Sequence, residues 1–206
     1  MGKGKFITFE GAEGSGKSTQ SKLVHDYLTR RGKKILFIRE PGGVKVSEAI
    51  RKILLDVENT RMSKECETLL YMAARSQLVH EIIAPALKSG TIVLCDRFLD
   101  STIVYQGYGC GVDIKLIKHI GKFATQNITP DLTFLFDIET QKGLSRKGEV
   151  KDRIELRSLP YHNRVRQGYL KLAKQEPRRI RVVKVDRDKE KIFKIVRKSI
   201  DKLLGL

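Results

Sequence analysis

A short stretch near the amino terminus has the residue types and spacing of a phosphate-binding loop. The strand-like run Phe6–Phe9 leads into Gly11–Ser18, whose letters GAEGSGKS match G-x-x-x-x-G-K-[ST]. Its glycines let backbone N–H groups converge on phosphate oxygens, and the helix that follows directs its positive end at them. Lys17 can reach the β- and γ-phosphates, and the Ser18 hydroxyl can hold Mg²⁺. The sequence therefore predicts a site for a nucleoside triphosphate.

Two further motifs follow apolar runs of strand length. Asp96-Arg97 comes after Thr91–Cys95, and Arg39 comes after Ile35–Ile38, just before a Pro-Gly-Gly turn. A carboxylate that ends a strand beside a phosphate loop commonly supports the metal, and an arginine there can clamp two phosphate oxygens. The alternatives are an aspartate that caps the next helix and a simple turn at Pro-Gly-Gly.

A helix and a charged segment supply the remaining candidates. Tyr71 and Arg75 are four residues apart on a predicted helix, so they share a face, and an aromatic ring beside an arginine suits a nucleotide base. The alternative is a core tyrosine beside an arginine that reaches solvent. Cations crowd the segment from about 143 to 153, which reads either as a lid over phosphates or as a solvated loop. These cations are Arg146, Lys147, Lys151 and Arg153.

The elements that must position these residues alternate along the chain. Short, continuously apolar runs are separated by segments of helix length, which indicates a parallel sheet covered on both faces. The motifs stand at the carboxyl ends of the predicted strands, where open α/β sheets bind ligands. We expect one domain over residues 1–206, with five strands at Phe6–Phe9, Ile35–Ile38, Thr91–Cys95, Leu132–Phe136 and Ile180–Val185.

Composition narrows the class of protein. The 206 residues carry a formal net charge of +17, which suits either polyanionic small substrates or a nucleic acid, and the absence of a nucleic-acid motif favours the former. No apolar run is long enough to span a membrane, so we expect no membrane partner. The three cysteines, Cys66, Cys95 and Cys110, show neither a disulfide framework nor metal-ligand spacing, which favours the cytoplasm.

Together, these motifs resemble those of the thymidylate kinase family from Phe6 to about Leu172. The phosphate loop by itself indicates only a superfamily, whereas the ordered set of motifs is specific. The set comprises the loop with Thr19-Gln20, Arg39-Glu40-Pro41-Gly42-Gly43, Ala73-Ala74-Arg75, Asp96-Arg97-Phe98 with Ser101, Tyr105-Gln106-Gly107, Pro130–Phe134 and Asp152-Arg153-Ile154-Glu155.

The resemblance implies a three-layer nucleoside monophosphate kinase fold that transfers the γ-phosphoryl group of MgATP to dTMP, for dTTP biosynthesis. ATP would lie on the loop, and Ser18 with Asp96 would place Mg²⁺. Arg97 and Arg39 would position the dTMP phosphate, with Glu13 nearby. Tyr71 would stack on thymine. The other residues implied to bind nucleotide or to act in catalysis are Gly11, Gly14, Ser15, Gly16, Lys17, Thr19, Arg75, Ser101, Tyr105, Gln106, Arg146 and Arg153.

The chain resembles the family members whose catalytic arginine lies in the lid, because position 14 is glycine and not arginine. Arg146 and Arg153 are the implied lid arginines, and the family implies a homodimer. Val44 stands where the family often has threonine. The alternatives are another nucleoside monophosphate kinase, for dUMP, UMP or CMP, and a nucleic-acid-binding ATPase.

Overall fold

The structure is a computed structural model that describes residues 4–146, 148 and 152–206. One parallel sheet runs through the described residues in the order β2-β3-β1-β4-β5, which confirms the predicted five-stranded α/β fold. Its strands are β1 (Phe6–Glu10), β2 (Ile35–Arg39), β3 (Ile92–Asp96), β4 (Leu132–Asp137) and β5 (Ile180–Lys184).

Burial differs between the central and edge strands, as the sheet order requires. Every residue of β1 is buried, and β3 and β4 are buried except at their last residue, whereas β2 and β5 are partly exposed. Central parallel strands meet helices on both faces, and this explains why they are largely apolar. Phe9 pairs with Asp96, so the end of β1 lies beside the end of β3.

Helices cover both faces of the sheet, which gives the predicted three layers. The side chains of α1 and α9 pack on Ile7, Phe9 and Phe134, and most of the other helices cover the opposite face in two clusters. The helices are α1 (Lys17–Arg30), α2 (Lys45–Leu55), α3 (Lys64–Leu78), α4 (Ala84–Lys88), α5 (Leu99–Thr102), α6 (Ile114–Ala124), α7 (Thr140–Ser145), α8 (Leu159–Gln175) and α9 (Lys189–Leu204).

Three local features were not predicted from the sequence. The helical path from α3 to α4 widens into a π-helical segment, Val79–Ile83, just before Pro85, whose missing N–H cannot continue the regular ladder. A second π-helical segment, Ile103–Gly109, follows α5 and carries two of the predicted site residues. The short helix α7 occupies the start of the predicted lid.

Candidate active site

A cavity of about 630 Å³ opens where β1, β2 and β3 end. Parallel strands direct their carboxyl ends to one edge, so residues distant in the chain meet there. All of the predicted site residues line this cavity except Gly11 and Arg153. The cavity therefore brings the phosphate loop, the aspartate–arginine pair and the face of α3 into one site.

The phosphate loop adopts a backbone that its glycines make possible. Gly14 and Gly16 have positive φ angles of 66° and 81°, and Gly16 stands immediately before α1. A Cβ atom on Gly14 would lie 1.9 Å from the Gly143 carbonyl oxygen, so α7 packs directly against the loop. Lid and loop are thus in contact, and a side chain at position 14 would force them apart.

Lys17 is folded back onto the loop that it follows. Its Nζ donates to the carbonyl oxygens of Gly11 and Ala12, each at 3.0 Å. Burial, and then the charge of Arg97, lower the pKa of Lys17 to about 8. An anion in the cavity would favour the charged form of Lys17 and raise its pKa again. A bound phosphate would therefore stabilise the ammonium.

Ser18 and Asp96 meet at the mouth of the loop. The Ser18 hydroxyl donates to Asp96 Oδ2 at 2.9 Å. Mg²⁺ favours a few protein oxygen ligands together with phosphate oxygens and water, and this donor set fits that preference. In the described part of the chain, no group of three or more histidine, cysteine, aspartate or glutamate side chains could hold a metal by itself.

Arg97 crosses the cavity from the end of β3. Its φ angle of 70° is in the left-handed region, and its backbone N–H donates to Phe9 at 3.0 Å. Its guanidinium contacts Glu13 Oε1 and lies 5.0 Å from the centre of the Tyr105 ring. Tyr105 also donates to the same Glu13 oxygen, at 3.0 Å. These contacts hold the guanidinium beside the phosphate loop.

Glu10, which the sequence analysis did not assign to the site, supports this arrangement from beneath. It accepts hydrogen bonds from the Phe98 backbone at 2.7 Å, the Ser101 hydroxyl at 2.6 Å and the Tyr169 hydroxyl at 2.8 Å. Burial, and then the charge of Asp100, raise the pKa of Glu10 to about 7. The signal in the sequence was a carboxylate at the end of a largely apolar strand.

At the other end of the cavity, α3 presents Tyr71 and Arg75 together, as their spacing predicts. Arg75 is almost fully buried and forms an ion pair with Glu40 at 2.7 Å. It also donates to the Thr102 hydroxyl and the Phe98 carbonyl oxygen, each at 3.0 Å. Burial raises the pKa of Glu40. The guanidinium therefore has a fixed position in the cavity wall.

Arg39 and Arg51 stand between these two ends. Arg39 forms an ion pair with Glu48 at 3.0 Å and donates to the Pro41 carbonyl oxygen, to which Arg51 also donates. Arg51 lies in α2, and sequence analysis missed it because nothing beside it in the sequence indicates a site. Val44 precedes α2 and provides no side-chain cap, whereas a threonine there could.

The two predicted lid arginines lie in different environments. Arg146 Nη1 lies 3.5 Å from the Gly14 carbonyl oxygen, beside the phosphate loop. Arg153 donates to the Leu54 carbonyl oxygen at 2.9 Å, and its Nη2 lies 2.6 Å from Glu67. Of the predicted lid, Lys147 and Lys151 lie outside the described residues. The structure therefore brings Arg146 to the loop and does not bring Arg153 there.

Comparison with known proteins agrees with this geometry. A family model described as thymidylate kinase matches residues 9–196. The chain belongs to the thymidylate kinase family. Curated thymidylate kinases include that of Kosmotoga olearia, 48% identical over 94% of each chain, and that of Symbiobacterium thermophilum, 44% identical over 97% of this chain and 94% of the relative.

A solved structure leads to the same family. The crystal structure of thymidylate kinase from Ehrlichia chaffeensis superposes with a TM-score of 0.80 at 33% identity, over 97% of this chain and 99% of that one. The reaction of a thymidylate kinase is phosphoryl transfer from ATP to dTMP. These comparisons confirm the fold and activity that the motifs implied, and they lend no support to the other acceptors or to a nucleic-acid-dependent ATPase.

The environment of Glu10 predicts a pH-dependent stability. Because its pKa is about 7 in this thymidylate kinase and 4.5 ordinarily, folding takes up a proton between these values. The free energy of unfolding should fall as pH rises from about 4.5 to about 7, by on the order of 3 kcal/mol, and then level off. Glu10→Gln should remove this slope in urea unfolding measured from about pH 5 to pH 8.5.

The exposed Glu190 of α9 offers a matched control. Glu190→Gln removes the same charge from the surface and should keep the wild-type slope. A Glu10→Gln variant that also kept the slope would show that another group titrates.

Proposed function

We propose that the transfer runs along the cavity, with the ATP phosphates on the loop and dTMP between the loop and α3. A phosphomonoester has its second pKa near 6, so dTMP is mostly a dianion at neutral pH. Its phosphate oxygen is already a nucleophile and needs no general base. The remaining difficulty is to bring two polyanions together, which positioned cations can overcome.

The donor end would be formed by the loop and the first turn of α1. Backbone N–H groups from Gly11 to Thr19 would bind the phosphate oxygens, including those of Gly14, Ser15 and Gly16. Lys17 would exchange its carbonyl partners, now at 3.0 Å, for the β- and γ-phosphates. This exchange restores hydrogen bonds to a buried ammonium while it adds opposite charge.

Mg²⁺ would be held by Ser18 directly and by Asp96 through water, and it would neutralise charge on the transferred group. The 2.9 Å contact between these two side chains supports the proposal, because their oxygens already lie on one side of the loop. The role of the protein would be to keep the Ser18 hydroxyl oxygen and the Asp96 carboxylate beside the phosphates. Asp96 can do so because it ends a central strand.

The acceptor end would use the residues between β3 and α3. Arg97 and Arg39 would hold the dTMP phosphate, and Glu13 with Ser101 would order Arg97. Tyr71 would stack on thymine, and Tyr105 would pack under the deoxyribose, where a ribose hydroxyl would be crowded. Arg75 and Gln106 give the cavity a partly polar wall here, which supports the proposed placement of the base at this end.

Arg146 is our candidate for the lid cation that meets the transferred phosphoryl group. Its contact with the Gly14 carbonyl oxygen supports this role, since that residue belongs to the loop that would carry the phosphates. A direct role for Arg153, as the family resemblance implied, would require its guanidinium to leave Glu67. Closure over the substrates would also keep water from competing for the phosphoryl group.

We also propose a homodimer that buries the outer faces of α3 and α6. These two helices pack together, and each exposes large apolar side chains. Phe123 is 85% exposed and Leu116 52% exposed, both on α6, and Leu69 of α3 is 56% exposed. Phe123 also lines a shallow depression with His119 and Ile120. A second copy of this chain would remove these surfaces from water.

The cytoplasm is the compartment that we propose. No helix in the described residues is long and apolar enough to cross a membrane. Cys66, Cys95 and Cys110 are free thiols, which a reducing compartment preserves.

A panel of acceptors tests the proposed reaction. With MgATP, turnover should be fastest on dTMP, slower on dUMP by at most about 10–200-fold because one methyl group separates them, and slowest on UMP, CMP, AMP and GMP. Coupled ADP release measures each rate. Lys17→Met should abolish turnover, whereas Lys22→Met, at an exposed position of α1, should not. Transfer that survived in the Lys17 variant would contradict the assignment of the donor site.

Single-turnover rates distinguish the two lid arginines. Arg146→Ala should lower the rate constant of transfer by on the order of 10³ or more, as loss of such arginines does elsewhere. Arg153→Ala should instead act mainly on the KM for dTMP, because Arg153 pairs with Glu67, which holds Gln106 from behind the cavity wall. Lys142→Ala removes an exposed cation from α7 and serves as the control. A normal rate in Arg146→Ala would exclude Arg146 as the lid cation.

The dimer is tested by mass in solution. Phe123→Glu should give a monomer in light scattering at micromolar concentration, since a buried interface does not accept an unpaired carboxylate. Ile195→Glu changes a comparably apolar, partly exposed position on α9 and should remain dimeric. A wild-type monomer, or a dimeric Phe123 variant, would refute the proposed interface.

A further inference from the structure

The orientation of the Gln106 amide is fixed by a carboxylate that does not line the cavity. Gln106 Nε2 donates to Glu67 Oε1 at 2.8 Å, and both groups are buried. An ionised carboxylate can only accept hydrogen bonds, so the amide nitrogen and not the amide oxygen must face it. Gln106 lines the cavity, whereas Glu67 lies behind it. The buried charge therefore decides which amide atom remains for a ligand.

Two arginines pair with the other oxygen of the buried Glu67 carboxylate. Arg157 Nη2 donates to Glu67 Oε2 at 2.6 Å, and Arg153 Nη2 lies 2.6 Å from the same oxygen in an ion pair without hydrogen-bond alignment. Both cations thus use Oε2, and Gln106 uses Oε1. The carboxylate is thus enclosed by donor groups, and the Gln106 amide nitrogen is one of them.

Arg75 provides the complementary partner on the other side of the base end. Within the described residues, its Nε and Nη1 groups donate to Glu40, Thr102 and Met72, and Nη2 makes one hydrogen bond, to the Phe98 carbonyl oxygen. Each Nη group carries two hydrogens, so one N–H of Nη2 remains as a donor. The cavity wall therefore offers an arginine donor together with the Gln106 amide oxygen as an acceptor.

This pair matches one type of pyrimidine edge. Thymine and uracil present a carbonyl acceptor at position 4 beside an N–H donor at position 3. Cytosine presents an amino donor and a nitrogen acceptor at those positions, so both contacts would be reversed. With cytosine, a donor would face a donor and an acceptor would face an acceptor. Such buried, unsatisfied polar groups cost binding free energy, so cytosine would be rejected.

We propose that Glu67 is a positioning residue for base selectivity. By holding the Gln106 amide nitrogen, it turns the amide oxygen towards the base, so that the site accepts thymine or uracil and excludes cytosine. This inference rests on the proposed placement of the base between Tyr71, Arg75 and Gln106. Glu67 acts through Gln106 and is not expected to touch the substrate.

Glu67→Gln tests the proposal because an amide can donate as well as accept. With glutamine at position 67, the Gln106 amide is free to turn over and offer N–H to the cavity. The ratio of kcat/KM for dTMP to that for dCMP should fall about tenfold or more. The kcat on dTMP should change by less than about threefold, since the phosphate end is untouched.

Arg157→Gln is the matched control. It removes a partner of Oε2 and disturbs the same buried cluster, but it leaves Oε1 with Gln106. Its dTMP-to-dCMP ratio should stay within about twofold of wild type, even if its thermal stability falls. If Arg157→Gln shifted the ratio as far as Glu67→Gln, any disturbance of the buried cluster would suffice to change it. That result would overturn the proposal.

A double-mutant cycle with Gln106→Met shows whether Glu67 acts through Gln106. Gln106→Met should itself lower the dTMP-to-dCMP ratio, and adding Glu67→Gln should lower it little further. Additive effects would overturn the proposal. If Glu67→Gln did not fold, an unchanged ratio in Gln106→Met would still refute it. Wild-type enzyme that did not phosphorylate dTMP would instead refute the proposed function, so the two failures are distinguishable.

Discussion

A cavity built to receive two polyanions must hold several cations close together before those anions arrive. In this protein, carboxylates and backbone carbonyl oxygens hold them in place. Lys17 donates to loop carbonyls, Arg97 contacts Glu13, Arg39 pairs with Glu48 and Arg75 pairs with Glu40. These contacts reduce the repulsion among the cations and fix their positions. In the proposed binding mode, incoming phosphates would take over donors that are already oriented, which lowers the cost of organising the site.

The partners differ in how readily they can be exchanged. The Lys17 ammonium and the Ser18 hydroxyl bond to groups that phosphate and metal can replace. Arg75 and Gln106 instead bond to the buried carboxylates of Glu40 and Glu67. The contacts of the phosphate loop can therefore be exchanged more readily than those of Arg75 and Gln106. Such a division suits an enzyme that must release a product diphosphate and still discriminate among bases.

Glu10 connects the loop to the rest of this scaffold. It ends β1, immediately before the loop, and accepts from Phe98, Ser101 and Tyr169. Through these bonds the central strand, the segment after β3 and helix α8 meet at one carboxylate. The left-handed Arg97 lies directly beside Phe98, so its unusual backbone is held on both sides. Rigid strand ends thus position the loop residues that carry the chemistry.

The sequence by itself determined the strands, the phosphate loop and the position of Asp96 and Arg97 at the end of β3, because short-range spacing and apolar runs encode them. It also placed Tyr71 and Arg75 on one helix face. Only the tertiary structure revealed the contacts of Glu10, Glu40 and Glu67, since each meets its partner across 35 or more positions of the chain. Likewise, only the tertiary structure showed that Arg146 lies beside the phosphate loop and Arg153 beside Glu67. The charged lid segment has no apolar pattern from which its path could be predicted. A motif of neighbouring residues can be recognised in the sequence, whereas the pairing of buried charges depends on which elements the fold brings together.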